Sequence, residues 1–158
     1  MNFLSWNVCG LIDLPRKYFV RDTKCRLGNI NVLCLQEVKF YGFLLDLAYL
    51  FIWLDGVNFA SQHEAGQGGV FTLLFPWIFP FVISHGSDPM QRIALILLSF
   101  QNIYFGIVNV YAPNDAVECS HLWRWLTNHL PPATWYSMEN SIWLRWLLIK
   151  WVFCLFNE

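Results

Sequence analysis

Two polar side chains close apolar runs near the start of the chain. Asn7 ends "LSWN", and Glu37 ends "INVLCLQE". If both runs are parallel strands of one sheet, the two side chains emerge at the same sheet edge, where the ligand sites of α/β folds collect. A carboxylate beside an amide suits Mg²⁺, which binds a few carboxylates, several waters and a substrate phosphate. The pair therefore predicts a Mg²⁺ site, although each residue alone is also typical of an exposed turn.

A third polar strand end occurs in "NVYAPND". The Tyr111 hydroxyl and the Asn114 amide are hydrogen-bond donors that could face a phosphate oxygen. The same stretch also reads as a turn into a helix that Asp115 caps, and the two interpretations are compatible. In "DPMQRIALI", Arg92 opens a strand and is either a phosphate clamp or an edge cation.

The elements that must position these residues begin with a β, α, β, α series. An apolar run predicts a strand over 2–8, and Asp13, Pro15 and Gly28 mark the cap, first turn and end of a basic helix. A continuous apolar strand of the doubly buried kind follows over 30–36. A second helix is predicted over 43–53.

The sequence pattern changes from alternating strands and helices to successive strands after a short predicted strand at 57–61. Four β-rich runs, "GGVFTLLF", "FPFVIS", "RIALILLSF" and "IYFGIVNVYA", are separated by turn-forming residues, which is typical of an antiparallel meander. A last helix is predicted over 116–129, where Asp115 and Glu118 could form a capping box. This order predicts an α/β class fold, a mixed sandwich rather than a doubly wound sheet.

Charge does not by itself indicate a nucleic-acid partner. The formal net charge is −1, whereas small nucleic-acid-binding domains are usually basic. Half of the ten basic residues fall within 16–26, and Lys17, Arg21 and Lys24 follow helical spacing. This cluster is either the solvated face of an amphipathic helix or a phosphate-contacting patch.

The cysteines indicate a reducing compartment. The chain has five of them, with neither a Cys-x-x-Cys pair nor zinc-ligand spacing. The first residues also lack the pattern of a secretory signal. We therefore expect an intracellular protein, nuclear or cytoplasmic.

The chain is unusually apolar. Hydrophobic residues make up 56% and charged residues 13%, against about 45–50% and about 25% in ordinary soluble domains. Much of the excess lies in the tail "SIWLRWLLIKWVFCLFNE", which Arg145 and Lys150 interrupt. A membrane helix needs about 20 mostly apolar residues. The interruptions and the short length disfavour a true span, but the tail and the overall apolarity make a small membrane-associated protein an alternative function.

The motifs in this order resemble the exonuclease-endonuclease-phosphatase family, particularly the endonuclease domain of plant LINE-type (non-LTR) retroelements. The matching stretches are "LSWNVCGL", "VLCLQEVK", "GGVFTLLF", "DPMQRIAL", "IVNVYAPND" and "LPPATW". The resemblance implies a four-layered α/β sandwich and Mg²⁺-dependent hydrolysis of phosphodiesters in DNA, with no small-molecule cofactor. It also implies that Asn7 and Glu37 bind the metal and that Tyr111 and Asn114 contact the phosphate.

The chain departs from the family pattern after "LPPATW". Intact relatives have a strand ending Gly-Asp-Phe-Asn there and a closing Ser-Asp-His, whereas this chain reads "YSMENSIWLRWLL". Neither Asp115 nor Glu139 stands in the context of the missing motif. We expect a partial domain over 2–135 and a divergent tail over 136–158. This predicts a truncated, inactive retroelement relic rather than a working endonuclease, with an exposed sheet edge that could self-associate.

Overall fold

Two four-stranded sheets pack face to face in the computed structural model, which describes residues 1–39, 51–61, 68–131 and 133–138. Helices cover the outer face of each sheet. The predicted mixed α/β sandwich is confirmed.

The first sheet holds the strand ends predicted for the metal site. Its strands are β1 (Phe3–Asn7), β2 (Val32–Gln36), β3 (Val57–Ser61) and β4 (Val70–Leu74), in the order β1-β2-β4-β3. Strands β1 and β2 are parallel, and β4 is antiparallel to both of its neighbours. All five residues of β2 are buried, which explains its uninterrupted apolar sequence.

Helix α1 (Leu14–Leu27) connects β1 to β2. The Asp13 side chain accepts a hydrogen bond from the Arg16 N–H at 2.8 Å, and Gly28, at φ 57°, ends the helix. Part of the basic face contacts aromatic rings, since the Lys24 ammonium lies 4.1 Å from the Trp53 ring centroid and the Arg21 guanidinium 4.7 Å from that of Tyr18. The cluster is therefore not simply a solvated face.

The second sheet has the order β5-β6-β7-β8. Its strands are β5 (Val82–Ser87), β6 (Ile93–Phe100), β7 (Ile103–Val110) and β8 (Thr134–Met138). The first three are antiparallel, and β8 runs parallel to β7. Helix α2 (Ala116–His129) precedes β8, and Asp115 caps it by accepting the N–H groups of Val117 and Glu118 at 2.9 Å.

The prediction of one four-run meander is wrong. Strand β4 lies in the first sheet between β2 and β3, and a 3-10 helix (Pro76–Phe81) leads the chain to the second sheet. Pro76 and Pro80 lack the N–H that a continuing ladder requires, and the apolar run of β4 is buried at every position. Only β5, β6 and β7 form the meander.

The hydrophobic core has three layers. The inner layer lies between the sheets and includes Val32, Leu74, Ile96 and Ile107. The outer layers lie between the first sheet and α1, and between the second sheet and α2. The resulting α-β-β-α stacking is the four-layered arrangement that the motif resemblance implies.

A buried polar cluster crosses the inner layer beneath the end of β2. The Asn109 amide on β7 donates to the carbonyl oxygens of Leu35 and Phe71, each at 3.2 Å, and to the Thr72 hydroxyl at 3.0 Å. Its oxygen accepts a hydrogen bond from Gln36 at 2.7 Å. Because Asn109 is fully buried, these bonds link β7 to the first sheet through paired polar groups.

Several sequence predictions lie partly or wholly outside the described residues. Phe51 and Ile52 are helical and Trp53 follows outside the helix, whereas positions 43–50 of the predicted helix are not described. The same holds for Glu139 and the apolar tail, while β8 runs through the predicted domain boundary at 135. Within the described ranges, no helix has both the length and the apolar character that a membrane crossing needs.

Candidate functional site

Backbone pairing of the first two strands continues beyond their ends. The N–H of Gly10 donates to the Glu37 carbonyl at 2.7 Å, and the N–H of Leu11 donates to the Val38 carbonyl at 2.9 Å. Asn7 is already paired in register at the last position of β1. The loops that leave the two strands are therefore held side by side at the carboxyl edge of the sheet.

The loop after β2 has an uncommon backbone conformation. Glu37 and Lys39 have φ angles of 57° and 54°, in the left-handed region that side chains other than glycine seldom adopt. The loop that enters β4 holds this conformation, since the N–H of Lys39 donates to the Gly68 carbonyl at 2.9 Å and the N–H of Val38 to the Gly69 carbonyl at 3.3 Å. Strained backbone of this kind concentrates at functional sites.

The Glu37 carboxylate is the negative group of the site. Its Oε1 lies 2.6 Å from the Lys39 Nζ, and the Glu37 side chain is 18% exposed. Burial acts to raise the pKa of Glu37, but hydrogen bonds from Lys39, Asn7 and Cys9, together with the Lys39 charge, lower it below the ordinary value. Glu37 is therefore ionised at neutral pH.

Asn7 joins the β1 loop to Glu37. Its Oδ1 accepts a hydrogen bond from the Cys9 N–H at 3.0 Å and lies 3.5 Å from the Cys9 Sγ, which leaves the NH₂ group as the donor towards Glu37. The Arg16 guanidinium donates to the carbonyl oxygens of Cys9 and Gly10 and so holds the loop. Asn7 and Glu37 are brought together, while metal ligation by Asn7 stays a prediction.

Tyr111 lies at the same site, directly after β7. Burial and the Glu37 charge raise its pKa, although the Lys39 and Arg92 charges act in the opposite direction. The Tyr111 hydroxyl therefore keeps its proton at neutral pH and can donate a hydrogen bond. The ring lies against Gly68, where an added Cβ would come within 3.0 Å of the ring carbon Cε1.

Arg92 is held next to Tyr111 by backbone contacts. The N–H of Tyr111 donates to the Arg92 carbonyl at 2.8 Å, and the buried Asp88 carboxylate accepts the N–H of Arg92 at 2.6 Å. The guanidinium pairs with Glu118 at 3.1 Å, so Glu118 faces Arg92 instead of returning to the helix cap. This ion pair lies on the wall of a groove of about 460 Å³ between the 88–92 loop and α2.

Asn114 is the predicted site residue with the least support from neighbouring groups. It is exposed in the segment between β7 and α2, at the same end of β7 as Tyr111. None of the hydrogen bonds or ion pairs between described residues involves its side chain. The structure thus gathers Asn7, Glu37 and Tyr111, places Arg92 beside them and leaves Asn114 open to solvent.

The fold is shared with solved nuclease structures. It is similar to the AP endonuclease LMAP from Leishmania major (TM-score 0.58, 18% identity, 85% of this chain and 54% of that chain). It is also similar to the APE2 catalytic domain from Xenopus laevis (0.55, 20%, 75% and 47%) and to the 3′ phosphatase NExo from Neisseria bound to a product DNA hairpin (0.51, 20%, 80% and 49%). This chain has the exonuclease-endonuclease-phosphatase fold. It spans about half the length of these structures.

Sequence comparisons do not extend this likeness. The chain matches no family model and no curated protein sequence. At these identities the structural similarity concerns the exonuclease-endonuclease-phosphatase fold alone.

Three residues of the site were not singled out from the sequence: Cys9, Lys39 and Gly68. Lys39 follows Glu37 by two positions within "VLCLQEVK", but its contact with the carboxylate depends on the left-handed backbone of both residues, which the sequence does not signal. Gly68, at φ 67°, belongs to a glycine pair, which signals left-handed backbone. Cys9 carries no comparable signal, because its contacts arise from the loop conformation.

The described part of the chain offers few hard ligands for a metal. It contains no group of three or more His, Cys, Asp or Glu side chains placed to hold an ion. At the site itself, Glu37 supplies a carboxylate and Asn7 an amide oxygen that already accepts from Cys9. This donor set fits a cation that keeps most of its waters, as Mg²⁺ does, and not an enclosed metal cage.

Proposed function

We propose that this chain carries part of a site that binds a phosphodiester of nucleic acid and supports its Mg²⁺-dependent hydrolysis. The observation that carries the proposal is the meeting of Asn7 and the ionised Glu37, at the carboxyl ends of β1 and β2, with the protonated Tyr111, which follows β7 in the second sheet. An anion for the metal and a hydroxyl donor for the phosphate are the groups that this chemistry needs.

Each residue has a distinct role in the proposal. Glu37 would hold Mg²⁺, which neutralises phosphate charge and lowers the pKa of a bound water. Asn7 orients the Glu37 carboxylate and can share its oxygen with the hydrated ion. Tyr111 donates to a phosphate oxygen, and Asn114 contacts the same group from the exposed turn. Arg92 contributes positive charge from its pair with Glu118.

DNA is the partner that we propose. The fold similarity to the AP endonuclease LMAP and to a 3′ phosphatase solved with a product DNA hairpin supports this choice over a small-molecule phosphoester. The near-neutral net charge means that recognition would depend on the local cations of the site, Lys39 and Arg92.

We also propose that the chain by itself hydrolyses DNA poorly. The Glu37 carboxylate is paired with a lysine, and the described residues include no group of three or more His, Cys, Asp or Glu side chains placed to hold an ion. No described side chain there can act as the base for an attacking water, and loss of a general base costs about 10²- to 10⁴-fold in rate. Descent from a LINE-type retroelement endonuclease, supported by the series of motifs, would account for such a relic.

The retroelement proposal has its own test. The genomic sequence downstream of the Trp135 codon should be read in all three frames. A Gly-Asp-Phe-Asn string in another frame is the expected result, because a frame change would account for the divergent tail. Its absence from every frame would count against this origin and leave the site proposal untouched.

The functional proposal is tested with purified protein and labelled DNA. Binding of an abasic-site oligonucleotide should require Mg²⁺, and Glu37→Gln should abolish the Mg²⁺-dependent part because it removes the anion. When the wild-type protein is incubated with supercoiled DNA in millimolar Mg²⁺, it should nick the DNA no faster than the Glu37→Gln variant does. Oligonucleotide binding that is unaffected by Mg²⁺ and by Glu37→Gln would contradict the proposed site. Nicking by the wild type that is lost in Glu37→Gln would contradict the proposed inactivity.

A further inference from the structure

We propose that Lys39 is a built-in counter-ion that a divalent cation must displace from Glu37, and that the displaced ammonium then faces the phosphate. This inference rests on the proposed function. It adds a residue that controls occupancy of the site and links cation binding to nucleic-acid binding.

The ion pair occupies one oxygen of the Glu37 carboxylate. Lys39 Nζ lies 2.6 Å from Glu37 Oε1, a short charge-assisted contact. The Lys39 side chain is 38% exposed and that of Glu37 18%, so lysine is the outer partner. A cation arriving from solvent therefore meets the ammonium before it reaches Oε1.

Two cations cannot share this carboxylate without cost. Like charges a few ångströms apart repel, and among the described residues Glu37 belongs to no group of three or more His, Cys, Asp or Glu side chains that could share the added charge. Binding of Mg²⁺ to Glu37 should therefore weaken the lysine contact. The lysine can move because its ammonium is carried on a flexible four-carbon stem.

The backbone determines where the released ammonium remains. The Lys39 N–H is bound to the Gly68 carbonyl at 2.9 Å, and Gly68 packs directly against the Tyr111 ring. Lys39 and Tyr111 thus flank the same glycine. A displaced lysine stays next to the hydroxyl proposed to contact the phosphate, and there it supplies a positive charge.

The exchange predicts effects of opposite sign for Lys39→Met. Cation affinity should rise by about two- to fivefold, the range that exposed ion pairs are worth. Oligonucleotide affinity in Mg²⁺ should fall, and the slope of log affinity against log salt should decrease by about one, because one phosphate contact is lost. If Lys39 only supported the fold, Lys39→Met would change the cation affinity and the oligonucleotide affinity in the same direction.

The test combines Mn²⁺ titration by electron paramagnetic resonance with fluorescence anisotropy of a labelled oligonucleotide. Wild type, Lys39→Met, Lys39→Arg and Glu37→Gln are compared. Arg26→Met is a control for loss of one positive charge, since Arg26 is exposed in the last turn of α1, which leads to the opposite end of β2. Lys39→Arg, which keeps the charge, should retain wild-type oligonucleotide affinity.

A measurement on the wild-type protein does not depend on the folding of any variant. The rate of amine labelling at Lys39, followed by mass spectrometry, should rise when Mg²⁺ frees the side chain, while labelling of Lys24 stays constant. An unchanged Lys39 rate in Mg²⁺ would overturn the exchange.

The outcomes also separate this inference from the proposed function. If Mn²⁺ binds wild type and Glu37→Gln equally and DNA does not bind, the proposed function fails. If Mn²⁺ needs Glu37 but Lys39→Met leaves its affinity unchanged or lower, the exchange alone is wrong.

Discussion

At the scale of single residues, the candidate site depends on two protonation states that the structure sets in opposite directions. Glu37 is kept ionised because hydrogen bonds from Lys39, Asn7 and Cys9 outweigh its burial. Tyr111 is kept protonated, chiefly by burial and then by the Glu37 charge. At neutral pH the site therefore combines an anionic ligand for cations, the Glu37 carboxylate, with a hydrogen-bond donor for phosphate oxygens, the Tyr111 hydroxyl.

Tyr111→Phe should weaken oligonucleotide binding roughly tenfold in Mg²⁺, because a hydrogen bond to a charged oxygen is worth about 1.5–3 kcal/mol. Stability should change little, since the ring that packs on Gly68 is retained. Anisotropy and thermal melting measure the two effects, with the exposed Tyr18→Phe as the control. Equal losses in both variants would remove the proposed role of the Tyr111 hydroxyl.

The stability contributed by Glu37 should depend on pH. A carboxyl whose pKa is lower in the folded state stabilises that state above its unfolded value, here 4.5, and the contribution disappears as pH falls through the folded pKa. The unfolding free energy of wild type relative to Glu37→Gln should be constant from pH 7 to about 5.5 and decline below the unfolded value. Urea unfolding across this range is the measurement, and a difference that grows on acidification would contradict it.

At the scale of elements, the loop that enters β4 joins the two halves of the site. Gly68 accepts the Lys39 N–H and supports the Tyr111 ring, so one short segment sets the distance between β2 and β7 side chains. Only a residue without Cβ leaves room for the ring at this φ of 67°.

Gly68→Ala should destabilise the protein and also weaken oligonucleotide binding. A left-handed alanine costs about 1–2 kcal/mol, and its Cβ would press on Tyr111. Gly28→Ala is a control for strain at a positive-φ glycine without the ring contact, because Gly28 has φ 57° and ψ −173° and no atom lies within 4 Å of an added Cβ. Both variants should lose stability in urea titrations, but only Gly68→Ala should lose binding. Intact binding in Gly68→Ala would refute the coupling.

At the scale of the whole molecule, two sheets are joined by an apolar layer with one polar crossing. Asn109 fixes the relative alignment of the two sheets, because its hydrogen bonds with Leu35, Phe71 and Gln36 can form in only one alignment. The crossing joins Gln36, the last residue of β2 and the neighbour of Glu37, to Asn109 of β7, which lies two positions before Tyr111.

Asn109→Ala should lower the unfolding free energy by about 3 kcal/mol, because buried carbonyl and amide groups lose their partners. Asn128→Ala, on the exposed face of α2, should change it by less than about 0.5 kcal/mol. Denaturant unfolding followed by tryptophan fluorescence distinguishes the two. Comparable small losses would mean that the crossing contributes little to the stability of the sandwich.

Self-association is expected at the level of the assembled sheets. Strand β5 lies at the edge of the second sheet, and five of its six residues are exposed. Exposed aromatic side chains, Trp77 and Phe79, lie in the adjoining 3-10 helix. Light scattering at micromolar concentration should give a mass above 18.6 kDa, reduced by Ile83→Lys, since an edge charge opposes pairing. A monodisperse wild-type monomer would count against this expectation.

The sequence by itself determined the elements whose signals are local. Asp13 and Asp115 cap the two described helices, Gly28 ends the first, and the apolar runs became strands close to the predicted bounds. Such signals need only contacts within a few residues, which periodicity and capping chemistry reveal. The parallel pairing that brings Asn7 beside Glu37 also followed from two strands separated by one helix.

Only the tertiary structure decided the pairings between distant segments. Strand β4 joined the first sheet, Glu118 turned to Arg92, Gly68 met Tyr111, and Asn109 reached across to Phe71. The partners in these contacts lie 26 to 43 positions apart or in different sheets, and no local propensity distinguishes them from other apolar or polar residues of the same kind. The packing of one sheet on the other selects them, because only one alignment buries the apolar faces and satisfies the buried amide of Asn109.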